Sequence, residues 1–349
     1  MKHLIDRLHR EHFLKHEEWI GLFQNRSAGD EIYARDLARR VCEETYGNDV
    51  YLRGLIEISS YCKNDCLYCG LRKSNLACER YRLTKDDILS CCREGYALGF
   101  RTFVMQGGED MWFTDERLTD IVAAVRREFP DVAITLSVGE KSRETYEKYY
   151  AAGANRYLLR HETADAEHYS KLHPAKMTIE TRMECLRTLK DIGFQVGAGI
   201  MVGSPGQTWE TVAKDMEFMH ELQPHMVGIG PFLPHHATPF RDEPAGKLND
   251  TLFIVALTRL MLPEALIPAT TALATLDPEG REKGLLSGAN VIMPNLSPSD
   301  VRKKYLLYDN KQAFGSEAAQ SLELTRIALE KIGRRASMTR GDHIRFQKH

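Results

Sequence analysis

Three cysteines fall within eight residues, in the stretch Cys62-Lys63-Asn64-Asp65-Cys66-Leu67-Tyr68-Cys69, with the spacing C-x3-C-x2-C. Three thiolates on one short loop can converge on a soft metal centre. A 4Fe–4S cluster held by three protein sulfurs leaves one iron without a protein ligand, free to bind and activate a small molecule. A structural zinc site asks for four ligands in C-x2-C pairs, and no matching second pair occurs. Three buried structural cysteines so close together would be a coincidence. The chain has eight cysteines. Cys78, Cys91, Cys92 and Cys185 show no ligand spacing, and a disulfide framework does not suit a chain long enough to build its own core.

Such a loop needs a scaffold. The first 48 residues read as helical, with apolar positions at Leu4, Ile5 and Leu8, then Ile20 and Leu22, then Ile32, Leu37 and Val41. From there short apolar or β-branched runs recur at Tyr51–Ile58, Thr102–Gln106, Val132–Val138 and Arg156–Leu159, and again at Gln195–Val202, Met226–Ile229, Leu266–Thr270 and Asn290–Met293. Most are separated by helical spacing, as in Ile179, Met183, Leu186 and Leu189 behind the capping candidate Thr178. Eight strands alternating with helices predict an α/β fold, a TIM-type (β/α)8 barrel of parallel strands. A doubly wound open sheet is the rival, and strand count favours the barrel. The expected organisation is an N-terminal helical extension over 1–48, the barrel over 49–310 and a C-terminal helix and tail over 311–349.

A barrel puts its chemistry at the C-terminal ends of strands. The cysteine loop follows the first strand there, and Gln106-Gly107-Gly108-Glu109-Asp110 follows the second. Arg160-His161-Glu162-Thr163 closes the fourth, and Gly199 to Thr208 ends the fifth. Taken singly, the glycine pair is an ordinary strand-to-helix turn, and Arg160 with Glu162 is a solvated ion pair worth under ~1 kcal/mol. His161 alone is more often a satisfied core histidine than a ligand.

C-x3-C-x2-C with an aromatic residue before the last cysteine, here Tyr68, resembles the motif of the radical S-adenosylmethionine (SAM) superfamily. The resemblance implies one 4Fe–4S cluster on Cys62, Cys66 and Cys69, with SAM chelated to its open iron and cleaved reductively to a 5′-deoxyadenosyl radical. It implies contacts from Gln106, Gly107, Gly108 and Glu109 to the methionine amino group. Glu162 and Arg182 would supply the two charges a zwitterion needs, Arg182 by a bidentate pair with the carboxylate. Tyr68 belongs to the same cofactor set, and Met201 lies in the segment that resembles the adenine contact, where Gly206 stands in place of an acidic residue.

Arg156 to Thr163, Met226 to Phe232, Ile267 to Thr271 and Gly288 to Asn295 narrow the resemblance, over roughly residues 50–310, to the HydE maturases of FeFe-hydrogenases, within the biotin synthase-like group. That family implies radical chemistry on an organometallic precursor of the hydrogenase H-cluster. Its anion or substrate contacts fall by position on Thr135, Ser137, Arg156, Arg160, Thr270, Thr271 and Tyr305. Threonine and serine at barrel strand ends agree with a polar cavity, although a single strand threonine is equally explained by β-propensity. Implied partners are the small-molecule or organometallic substrate, an electron-donor protein and companion maturases. No cysteine follows Cys185, so a second iron–sulfur cluster is not expected. A methylornithine synthase-like or biotin synthase-like enzyme is one competing reading, and a non-catalytic iron–sulfur scaffold is another. His235-His236 has no assigned role.

Composition bounds the remainder. The chain has 349 residues, 43% of them hydrophobic and 28% charged, with 47 Lys+Arg against 49 Asp+Glu. These values exclude dominant disorder and give no electrostatic reason to expect nucleic acid or anionic lipid. No apolar run reaches the ~18 residues of a membrane span, and the first ten residues lack a signal-peptide core. A cytoplasmic protein is expected.

Overall fold

The computed structural model describes residues 1–311 and 318–347. Of the stretch expected as C-terminal helix and tail, 312–317 and 348–349 lie outside the described residues.

Three helices open the chain, Lys2–Glu11, His16–Asn25 and Ala28–Tyr46. The third starts at Ser27, whose hydroxyl accepts from the Asp30 amide while the Asp30 carboxylate accepts from the Ser27 amide, satisfying donors that a helix start leaves unpaired. Its apolar face, with Leu37, Ala38 and Val41 buried, shares one hydrophobic core with the barrel and its helices.

Among the described residues nine strands follow: β1 (Asp49–Leu52), β2 (Gly54–Ser59), β3 (Thr102–Gly107), β4 (Ala133–Ser137), β5 (Arg156–Leu158), β6 (Gln195–Val202), β7 (Met226–Pro231), β8 (Val291–Ile292) and β9 (Arg335–Ser337). β2 to β7 form one parallel sheet in sequence order. All eight residues of β6 are buried, as expected for a strand covered on both faces. Parallel bridges then carry the ring onward, from Met226 to Leu266, from Pro268 to Val291, and from Asn295 back to Leu55. The architecture is the expected α/β barrel.

Three of the expected strands differ from expectation. The run Leu266–Thr270 is reduced to isolated bridges, and Asn290–Met293 keeps two residues as a strand. Pro268 and Pro294 lack the N–H a ladder needs, so this side of the ring is thinly hydrogen-bonded. The run Tyr51–Ile58 also divides at Arg53, where β1 leaves the main sheet to pair with β8 and β9.

β9 belongs to a C-terminal segment with a definite place. Its three residues pair in parallel with β1, and the chain beyond crosses the N-terminal mouth of the barrel. There Thr102 donates to the Arg340 carbonyl at 2.8 Å, Arg156 meets Asp342 at 2.8 Å, and Gln195 donates to Asp342 at 2.7 Å. Those three partners stand at the starts of β3, β5 and β6, so the segment plugs the end of the barrel opposite the cysteine loop. No helix among the described residues is long and apolar enough to cross a membrane.

Candidate functional site

The cysteine loop leaves β2 and is braced from inside. Arg80 donates to the carbonyls of Ser60, of Leu71 at 3.0 Å, of Arg72 at 2.7 Å and of Asn75 at 3.2 Å, so one planar guanidinium ties both arms of the loop together. Arg72 clamps Asp65 through two bonds of 2.8 Å. The Lys63 amide donates to the Glu109 carbonyl at 2.9 Å, and the Gly70 amide to the Leu307 carbonyl at 2.8 Å.

Cys62, Cys66 and Cys69 all line a cavity of about 280 Å³ at the C-terminal end of the barrel. Burial pushes all three thiols up, Cys69 to about 12. Neutral thiols crowded together out of water suit metal ligation, because a bound cation makes them thiolates. Three soft sulfur donors, with no fourth cysteine or histidine among the residues that line the cavity, suit a cluster that leaves one iron without a protein ligand. The residues present fit the group that the loop spacing implies.

The opposite walls carry charge and open backbone. Gln106, Gly107, Gly108 and Glu109 line the cavity after β3. A side chain at Gly108 would place its Cβ 2.2 Å from the Tyr61 carbonyl oxygen and 2.8 Å from the Cys62 Cβ, so only glycine lets this turn lie against the cysteine loop. Gly139, at φ +81, leaves room for Glu109, whose Cγ would lie 2.0 Å from an added Cβ. Glu109 faces Lys63 at 3.2 Å and Arg182 at 4.0 Å. Arg182 lies against Glu140 at 2.6 Å and donates to the Arg160 carbonyl at 3.3 Å. Burial alone would lower the Arg182 guanidinium, but Tyr169, Glu140 and Glu109 raise it instead, so it stays a cation.

Arg160 and Glu162 form a 2.9 Å ion pair on the same wall. Glu162 sits at φ +66, a left-handed conformation costing a non-glycine residue roughly 1–2 kcal/mol. It is held by its amide donating to Gly199 and by the Met201 amide donating to its carbonyl. Tyr68 lines the cavity and hydrogen-bonds His173 at 3.2 Å, while Met201 forms part of the β6 side. Behind this wall burial lowers the His161 imidazole to about 3, so the ring is neutral. It accepts from the Gly199 amide, as a core histidine does.

Of the residues expected to meet substrate, Ser137, Arg160 and Tyr305 line the cavity, and Gln106 donates to the Tyr305 hydroxyl at 3.4 Å. The structure does not bring Thr135, Arg156, Thr270 or Thr271 to it. Arg156, Leu158 and Arg160 alternate onto the barrel interior, but four residues of strand span about 13 Å. Arg156 therefore lies in the lowest interior layer, paired with Asp342 and fully buried, and Thr135 is its register partner. Thr270 precedes the Thr271–Leu276 helix, with its hydroxyl oxygen 3.2 Å from where a Gly230 Cβ would stand.

With this geometry, kinship becomes informative. The Radical SAM superfamily matches residues 56–219. The FeFe hydrogenase maturase subunit HydE of Thermotoga maritima is 42% identical over 334 residues, 96% of this chain and 95% of that protein. This chain belongs to the HydE family of radical SAM enzymes. The 3-methylornithine synthase of Methanosarcina acetivorans is 33% identical over 266 residues, covering 76% of this chain and 74% of that protein. The crystal structure of methylornithine synthase, PylB, superposes with a TM-score of 0.83 at 28% identity, covering 96% of this chain and 97% of that one.

This HydE-family chain also brings to the cavity residues that motif reading passed over. Gly139 on the wall, with Glu140 beside it holding Arg182, follows β4 and was findable by the strand-end rule that picked out the other loops. Leu307 and Tyr308 come from a strap after β8, tied down by the Asp309 amide donating to the Pro234 carbonyl and by His236 bonding Asp309 at 2.7 Å. His235 and His236 thus anchor part of the cavity roof. Burial raises the Tyr308 hydroxyl to about 12, so it is a neutral donor.

Proposed function

We propose that the chain is a radical SAM enzyme acting in assembly of the FeFe-hydrogenase H-cluster, with Cys62, Cys66 and Cys69 as the three protein ligands of one 4Fe–4S cluster. The observation that carries the reading is the convergence of three half-buried cysteines and both signs of charge on one cavity in a chain 42% identical to a HydE maturase. When bound, the cluster and SAM supply reductive C–S cleavage and a 5′-deoxyadenosyl radical.

The chain's own residues bind and orient. Arg182 pairs with the methionine carboxylate and Glu162 with the ammonium group. The backbone of Gly107 and Gly108 approaches the same end, and Met201 lies along the adenine. Tyr68, with its hydroxyl on His173, packs beside the cysteines and helps exclude water. Ser137, Arg160 and Tyr305 face the remaining space and receive an anionic or organometallic substrate. An external electron donor and companion maturases complete the set of partners.

Arg182→Ala removes a buried cation and is expected to weaken SAM binding by about ten- to hundredfold, the worth of a charge-assisted hydrogen bond. Equilibrium dialysis of reconstituted protein reads this directly, and an unchanged Kd would take Arg182 out of the site. The reading as a whole is tested by in vitro maturation of an apo-hydrogenase with the companion maturases. Hydrogen evolution that depends on this protein and on SAM is expected. Deoxyadenosine formation with no gain in hydrogenase activity would redirect the chain to the mutase branch of its relatives.

A further inference from the structure

Outside the cavity, on the outer side of the cysteine loop, the chain exposes an unusual row of side chains. Tyr61, Trp112 and Met111 are 36%, 37% and 68% exposed, and Leu76 on the same loop is 94% exposed. Guanidinium groups are threaded between the rings. Arg82 lies 3.7 Å from the Tyr61 ring and 5.8 Å from the Trp112 ring, and Arg117 lies 4.3 Å from the Trp112 ring. The row is prebuilt. Asp110, itself buried, holds Arg82 at 2.6 Å and accepts from the Trp112 amide at 3.0 Å. Arg117 donates to the Trp112 carbonyl at 2.8 Å. Trp, Tyr and Arg, held rigid and partly apolar, are the residue types that dominate binding energy at protein interfaces.

Two features say what kind of partner fits. The first is position. Tyr61 is covalently joined to Cys62, which lines the cavity on the inward side, so a protein seated on the row reaches a cluster ligand without entering the cavity. A substrate or a cargo protein needs the cavity; an electron carrier needs only proximity. The second is charge. Residues 61–82 carry Lys63, Arg72, Lys73, Arg80 and Arg82 against Asp65 and Glu79, in a chain whose net charge is −2. Asp65 is matched by Arg72, and Glu79 by Lys304. Glu109 and Asp110 are buried, and Asp115 is bound to Thr145 and Lys148. Lys63 and Arg82 are matched in turn by Glu109 and Asp110, and the outer face adds the exposed cations Lys73 and Arg117 beside the exposed carboxylate of Glu116.

We propose that the Tyr61–Arg82–Trp112–Arg117 row is the docking surface for a small acidic one-electron carrier protein. The inference rests on the radical SAM reading above and adds the place where reduction occurs. In the step it serves, the carrier is oxidised by one electron and the protein-bound cluster is reduced by one, with no bond or proton transferred. The contact is of the small, transient, salt-sensitive class typical of redox encounters.

The test uses cluster-reconstituted full-length protein and two acidic probes, an oxidised flavodoxin and an oxidised two-cluster ferredoxin, with binding measured by titration calorimetry at low salt. Wild type is expected to bind at least one probe, more weakly as salt rises. Arg117→Glu and Met111→Glu are expected to raise Kd about tenfold or more, while Arg326→Glu on the distant Ala318–Lys331 helix leaves it unchanged. Equal affinity of the Arg117→Glu and wild-type proteins, or binding of neither probe by wild type, overturns the proposal. Deoxyadenosine formation with dithionite as reductant is measured in parallel, since it needs no carrier. Its loss in wild type refutes the radical SAM reading, whereas its persistence beside unaltered carrier binding refutes the docking surface alone.

Discussion

Replacing Cys62, Cys66 and Cys69 together by Ala is expected to lower bound iron from about four atoms per chain to near none, with the secondary structure retained. The thiols project from one loop whose shape is set by Arg80 and by the Asp65–Arg72 clamp, none of which the substitution touches. Each single replacement should also fail to hold a complete cluster, because the cavity offers these three thiols and no further cysteine. Cys78 provides the internal control. It lies on the same loop, half-buried, but does not reach the cavity. Cys78→Ala should therefore bind iron as wild type does. Iron analysis and the absorption of the anaerobically reconstituted proteins separate these outcomes, and iron retained at wild-type stoichiometry in the triple variant would remove the ligand assignment.

The second large effect concerns stability and lies at the other end of the barrel. Asp342→Ala is expected to cost about 3–5 kcal/mol, because it strands the guanidinium of Arg156 without its carboxylate in a fully buried position. Asp342→Asn, which keeps an acceptor for Arg156 and Gln195, should cost less. Burial alone would raise the Asp342 carboxyl, but Arg156, Arg340 and Gln195 hold it well below the ordinary carboxylate range. A carboxyl depressed in the folded state stabilises above its unfolded value of about 3.9, and that stabilisation is lost as pH falls through the folded value. Urea unfolding should show wild-type stability declining below about pH 4 more steeply than that of Asp342→Ala. Parallel pH profiles for the two would show that Asp342 is not the partner that matters.

That salt bridge also marks the limit of what the sequence discloses. The cysteine loop, the Gly107-Gly108 turn and the Arg160–Glu162 strand end are local patterns, and a barrel fixes which end of a strand faces the chemistry. Height within the barrel is different. Arg156 and Arg160 share the same alternation, and nothing near them in sequence says that a segment from residues 335–347 will occupy the lower layer. Thr270 closes an expected strand that is reduced to isolated bridges, and Thr271 opens the short helix that follows it. Tyr308 and the strap it belongs to lie in a stretch with no periodicity, and long-range bonds to Gly70, Pro234 and His236 hold the strap at the cavity.

The measurement that bears most directly on the account is electron paramagnetic resonance of the reconstituted, dithionite-reduced protein, recorded with and without SAM. The account predicts the signal of a reduced 4Fe–4S cluster whose g-values change when SAM is added, since one iron lacks a protein ligand. A sample without that signal, or a signal indifferent to SAM, would contradict it.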